Sequence, residues 1–293
     1  MGVRNRLFLP SQIASITFSM HEFETAQIRA YIQKYSIFAK NTIHPVMKRS
    51  LCLTSLLLLF ASAALSAQEQ LPNMSLDQWE KKGKVWYATG WDSGNKGTST
   101  LGKNVTEPEE EFVAVKGPGK KAARLRSDFV GVLGIGKFAS ACLYTGQFVK
   151  VIGTSGSQLS FGVPFNQRPA SLHGYYAYTP GIIDYAGKDM KSMLGQTDHG
   201  HIEIYVTVWD KPFLIDNTRS IALDPKSPDV IGYGVLDFGK ATDGYVEFNI
   251  PIVYTSDATP TYIGIMSSSS RLGSYFTGST GSVLYLDELE LRY

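Results

Sequence analysis

Alternation with a period of two residues is the feature that most limits how this chain can fold. In His201–Trp209, the residues Ile202, Ile204, Val206 and Val208 share one face, and His201, Glu203, Tyr205, Thr207 and Trp209 share the other. Side chains alternate across a strand, so the aliphatic face is expected to meet the core and the other to face outward. Tyr245–Ile252 repeats the design, with Val246, Phe248, Ile250 and Ile252 inside. Further strands are expected at Phe138–Val151, Leu159–Phe161, Leu172–Tyr178, Gly232–Phe238, Thr261–Met266 and Ser282–Tyr293. Beyond residue 67 no helix of ordinary length is expected; Ser75–Lys82 could make one or two helical turns. Turn residues punctuate the strands at Asp92-Ser93-Gly94-Asn95, Lys116-Gly117-Pro118-Gly119, Asp243-Gly244 and Gly278-Ser279-Thr280-Gly281. Short strands, frequent turns and no disulfide predict an all-β fold, an antiparallel two-sheet β-sandwich or jelly roll. The run Glu107–Glu111 reads as a solvated loop and Gly131–Gly136 as a bend.

The front of the chain differs in kind. Lys48-Arg49, the apolar stretch Leu51–Leu65 and the small residues ending at Ala67 form a secretory signal pattern over 47–67. The apolar stretch is short for a membrane span of about 20 residues. A signal belongs at a chain start, so residues 1–46 are read as a start-site extension with no fold expected, and 68–293 as one domain. Of the formal charge of +2, residues 1–67 carry +5 and residues 68–293 carry −3. The exported part therefore has no electrostatic reason to bind nucleic acid or anionic lipid. It is expected to act in the periplasm, at the cell surface or as a secreted protein, with no membrane insertion after signal cleavage. Cys142 is its sole cysteine, which excludes an internal disulfide.

Several residues could carry chemistry. Asp287 shares a face of the last strand with Tyr285, Leu289, Leu291 and Tyr293, a face that looks buried. A buried carboxylate needs a cation or several donors, and a structural Ca²⁺ would serve, with Asp77 a plausible second ligand. Hydrogen bonds alone are the other solution. His199, His201 and Glu203 fall on one strand face, a geometry that could hold zinc, or else two exposed histidines beside an outer-face charge. Surface aromatics suit sugars, whose C–H faces stack on rings. Trp209 is the leading candidate, with Tyr205 on the same outer face, then Trp91, Tyr175 and Arg168. Trp and Tyr also serve as ordinary sandwich core. No nucleophile elbow, zinc helix or phosphate-binding glycine loop is present in the sequence.

Phe161-Gly162-Val163-Pro164-Phe165, Arg168-Pro169 and Gly174-Tyr175-Tyr176-Ala177-Tyr178 resemble the signature of the PCMD family, the putative carbohydrate metabolism domain. Asn73-Met74-Ser75-Leu76-Asp77-Gln78-Trp79 is similar to that family's opening, with Leu76-Asp77 in place of Phe-Glu. Ser268-Ser269-Ser270, Gly278–Ser282 and Leu284–Leu289 are similar to its closing strand. The resemblance spans Pro72 to Tyr293. It implies a jelly-roll sandwich like carbohydrate-binding modules, in exported proteins of Bacteroidetes-type bacteria. It also implies a Ca²⁺ tied by residues matching Asp77 and Asp287, and a polysaccharide or glycan as partner. It supplies no catalytic residue. The reading is a non-catalytic glycan-binding protein. The alternatives are a glycoside hydrolase or lyase on the same sandwich, and a surface or adhesion component that binds protein.

Overall fold

Eight strands build the sandwich, numbered here in chain order: β1 (Ala122–Arg126), β2 (Cys142–Tyr144), β3 (Ser171–Thr179), β4 (Gly200–Thr207), β5 (Val230–Phe238), β6 (Val246–Pro251), β7 (Tyr262–Ser268) and β8 (Val283–Arg292). The computed structural model describes residues 68–133, 135–153, 155–219 and 221–293. The signal pattern at 47–67 and the extension at 1–46 lie outside the described residues. One sheet runs β6-β3-β8-β1, with Thr106–Glu109 at the edge beyond β1. The other runs β5-β4-β7-β2, with Val253–Tyr254 beyond β5 and Asp92–Ser93 beyond β2. Every pairing is antiparallel. Orders 6-3-8-1 and 5-4-7-2 are the interlocked Greek keys of a jelly roll.

Alternation explains the core. Ile202, Ile204 and Val206 of β4 are fully buried between the sheets, against Leu125, Leu143, Leu172, Phe248, Ile250, Ile263 and Ile265. Each such side chain contributes roughly 1.5–3 kcal/mol by leaving water.

The last strand departs from simple alternation. Leu284, Leu286, Leu289 and Leu291 all join the core, so the inward parity changes between 286 and 289. Tyr175 stands opposite Asp287 and His173 opposite Glu290, leaving one extra residue on β8. Glu288 takes a φ of +47°, the left-handed conformation found at the first residue of a G1-type β-bulge. The expected single face of Tyr285, Asp287, Leu289 and Leu291 is thus split, with Asp287 on the opposite side from the two leucines.

Other expectations change in detail. Phe138–Val151 breaks into Ile135–Ala139, β2 and Gly146–Ile152. Gly131–Gly136 is the tip of a hairpin between Asp128–Val132 and Ile135–Ala139. A Cβ on Gly131 would meet Ile135 O at 2.4 Å, and one on Gly136 would meet Val130 O at 2.2 Å, so the two strands close there only with glycine. The helical turns expected in Ser75–Lys82 are absent; Trp79–Lys82 forms a hairpin with Val85–Ala88. Glu107 and Glu109 lie in an edge strand rather than a loop, and Glu107 pairs with Arg124.

A second apolar cluster lies on the outer side of the β5-β4-β7-β2 sheet. It contains Tyr144, Phe161, Tyr205, Trp209, Ile215 and Val230. The small sheet formed by Gly146–Ile152, Gly156–Phe161 and Phe213–Asp216 supplies two of these residues and covers that end of the face. What is left of the face is the floor of a cleft.

Candidate functional site

Strand register sets the floor side chain by side chain. His201 stands opposite Asp237 of β5 and Ser268 of β7, and Ser268 opposite Cys142 of β2. The next row is Val235, Glu203, Met266 and Tyr144, and below it come Tyr233 and Tyr205. The cleft above this floor has a volume of about 570 Å³, within the range of small-molecule sites. Its walls come from the Asp128–Val132/Ile135–Ala139 hairpin, the Gly146–Ile152/Gly156–Phe161 hairpin, the short helix Asn95–Thr98 with the turn Ser99–Leu101, and residues 271–276.

The polar groups of the floor are few and held in place. Tyr205 Oη donates to Glu203 Oε2 at 2.6 Å, and His201 Nε2 lies 3.7 Å from Glu203 Oε1. His201 is 6% exposed, and its Nδ1 has no hydrogen-bond partner. Burial pulls the His201 pKa down against the opposing pull of Glu203 and Asp237, which favours the neutral imidazole. Burial likewise pushes the Tyr205 hydroxyl far up, so it remains a donor to Glu203. Among the described residues Glu203 is the one carboxylate lining the cleft, with Lys137 and Arg271 as its cationic side chains. Arg271 Nη1 pairs with Asp237 at 3.1 Å, and Lys137 Nζ sits 3.9 Å from the centre of the Phe276 ring.

A buried carboxylate fixes the loop that carries Arg271. Asp198 is 1% exposed and accepts from Ser270 Oγ at 2.6 Å, Ser282 Oγ at 2.8 Å, Ser279 N at 2.8 Å and His199 N at 2.9 Å. Burial raises its pKa, and these donors oppose the rise. Arg271 N donates to His199 O, which ties the same loop to the entry of β4.

The sugar-contact candidates scatter. Trp209 is 8% exposed, packed against Phe161 and Phe213, and Tyr205 is 2% exposed. The expectation that their shared face is open to solvent is corrected: the added three-stranded layer covers it, and only Tyr205 of the two lines the cleft. Trp91 belongs to the main core, where Nε1 donates to Pro72 O at 3.1 Å. Tyr175 lies on the outer face of the other sheet, beside His173. Arg168 spends its guanidinium on Ala258 O and Ser256 O and stacks over Tyr254. His201 and Glu203 do share the cleft floor, but neither is the exposed residue that the outer-face reading expected. Of the surrounding contributors, Met266, Ser268 and Arg271 come from one short stretch that includes the Ser268-Ser269-Ser270 motif, whereas Lys137 is distant in sequence and no local pattern singles it out.

Asp77 and Asp287 do not fit the shared Ca²⁺ site expected of them. Asp77 Oδ1 accepts from Lys121 N at 2.8 Å and Oδ2 from the Lys120 ammonium at 3.0 Å, and Lys120 also pairs with Glu288. Burial pushes the Asp77 carboxyl up, but the Lys121 N–H and the Lys120 ammonium outweigh it and hold the pKa low. The Lys120 ammonium already takes the Asp77 oxygen that a metal would use. Asp287 accepts from Ala114 N at 2.6 Å through Oδ2, while its buried Oδ1 has no partner. Among the described residues no three His, Cys, Asp or Glu side chains gather as a metal set.

The comparisons with known proteins decide the family. The model described as "Putative carbohydrate metabolism domain" matches residues 69–292. The chain belongs to the PCMD family. A solved structure described as a putative glycoside hydrolase from Bacteroides thetaiotaomicron is similar at 26% identity and a TM-score of 0.53, covering 73% of this chain and 66% of that one. The PCMD chain thus spans just under two thirds of that protein's length. A second, described as a putative glycoside hydrolase from Bacteroides vulgatus, is similar at 21% identity and a TM-score of 0.52, covering 73% and 89%. No curated protein matches the PCMD chain. The family and these neighbours support a carbohydrate-related role.

Proposed function

We propose that this PCMD chain is an exported, non-catalytic glycan-binding protein and that the cleft over β4 and β7 is its binding site. One observation carries the reading: the cleft pairs a fixed carboxylate acceptor, Glu203, with a guanidinium donor, Arg271, in a pocket of small-molecule size. Sugar hydroxyls donate and accept at once, so one hydroxyl can donate to Glu203 and another can accept from Arg271. Glycoside hydrolysis ordinarily uses two carboxyl groups flanking the scissile bond. Glu203 has no second carboxylate beside it among the described cleft residues, and Asp237 is committed to Arg271. That favours binding over the hydrolase suggested by the names of the two neighbours. The signal pattern at 47–67 supports export. Among the described residues no helix is long and apolar enough to cross a membrane.

A glycan array with the protein tests the reading, followed by product analysis of every retained glycan. The expected result is retention of intact glycan, reduced at least tenfold by Glu203→Gln. Released sugar products would replace binding by catalysis, and a blank array would remove the glycan.

A further inference from the structure

The cleft sets charged groups on its floor near exposed aliphatic side chains on one wall. The floor strands and the 271–276 loop supply Glu203, His201, Ser268 and Arg271. The walls mix polar side chains (Thr98, Thr100, Lys137, Ser157, Asn217) with apolar ones, and two of the apolar ones stand open to solvent. Leu101 is 47% exposed and Val151 is 45% exposed, and both line the cleft. Val151 lies beside Phe148 at the short helix, where a Cβ on Gly97 would meet Val151 Cγ2 at 3.1 Å and Phe148 Cζ at 3.3 Å. Phe148, Leu159 and Ile215 continue the apolar lining inward. A free oligosaccharide presents hydroxyls around most of its rim. Those that fall against Leu101 and Val151 would meet aliphatic carbon rather than a hydrogen-bond partner, at a cost in affinity.

Deepening the glycan-binding reading, and resting on it, we propose that the cleft takes an amphipathic glycoside: a sugar head on the Glu203–His201 floor and an apolar alkyl or aryl substituent along the Leu101–Val151 wall. The Glu203 carboxylate and the Arg271 guanidinium call for a polar head. The exposed aliphatic wall calls for an apolar tail, since burying such surface is favourable only against another apolar group. One class of molecule answers both.

Isothermal titration with methyl, hexyl and phenyl glycosides of glucose, galactose and mannose, all below micellar concentrations, tests this. The hexyl or phenyl form of the preferred sugar is expected to bind at least tenfold more tightly than its methyl form. Leu101→Ser and Val151→Ser, both at exposed positions that keep the wild-type melting temperature, are expected to bring the hexyl form down to the affinity of the methyl form. Glu203→Gln is expected to weaken all three forms together. Equal affinity of methyl and hexyl forms overturns the amphipathic proposal and leaves glycan binding standing. Tight binding of every hexyl glycoside, whatever the sugar and regardless of Glu203→Gln, overturns both readings. Failure of all the glycosides to bind also overturns both.

Discussion

At the residue scale, two buried polar side chains show what the fold demands. Asn95 is 1% exposed and fully used: Nδ2 donates to Trp86 O and Thr106 O, and Oδ1 accepts from Val105 N and Thr106 N. Asn95→Ala would strand several backbone groups, each costing about 1–3 kcal/mol when left buried and unpaired, so a loss of at least 3 kcal/mol is expected in denaturant unfolding. A change below 1 kcal/mol would mean that water replaces the side chain. Sequence marked Asn95 only as a turn residue, because a local pattern cannot show which distant backbone groups an amide will reach. Asp287 is the opposite case. Burial pushes its carboxyl up to about 6, against the Ala114 N–H that holds it down. Its pKa in the unfolded chain is near the ordinary 3.8. Between these values the folded protein keeps a proton that the unfolded chain has released. The Asp287 contribution is therefore intact below pH 4 and is lost as pH rises through 6, by roughly 2–3 kcal/mol. Asp287→Asn is expected to flatten the stability profile between pH 4 and 7. An identical profile in the variant would assign the titration elsewhere.

At the scale of elements, close approach governs more than propensity does. Gly264 sits in β7, where a Cβ would meet Phe161 Cε1 at 2.2 Å. Phe161 is fully buried under the small three-stranded layer and cannot move aside freely. Gly264→Ala is expected to cost about 1–3 kcal/mol, with a matching fall in melting temperature, and to disturb the packing of Tyr205 beneath the cleft. An unchanged melting temperature would show that the layer shifts without cost. The strands with clean alternation, β4 and β6, stand within a residue or two of their expected ends. The bulge in β8 and the breaks around β2 were not legible, because each depends on what the neighbouring strand presents. At Glu288, for instance, the one β3 residue Gly174 faces two of β8, Glu288 and Leu289.

At the scale of the whole molecule, the domain of residues 68–293 ties its first segment to its last strand. Gln70 exchanges hydrogen bonds with the backbone of Leu291, and Leu289 N donates to Met74 O. Lys120 bridges Asp77 near the start and Glu288 near the end. Because this closure runs through an ammonium ion, chelator is expected to leave the melting temperature unchanged. Lys120→Ala, which strands two partly exposed carboxylates, is expected to lower stability by about 1 kcal/mol. A chelator-dependent fall would restore a metal to Asp77. The alternation of aliphatic residues and the spacing of turns were enough, from sequence, for an all-β sandwich and its inward faces, since side-chain direction along a strand is a local property. The family motifs reached the carbohydrate context. The fate of the outward faces was decided only by tertiary structure. The face of His201, Glu203, Tyr205 and Trp209 reads as solvent-facing by its period, yet an inserted layer of strands buries one end of it. The other end becomes the floor of a cleft, because covering a face is a long-range event that alternation within one strand does not record.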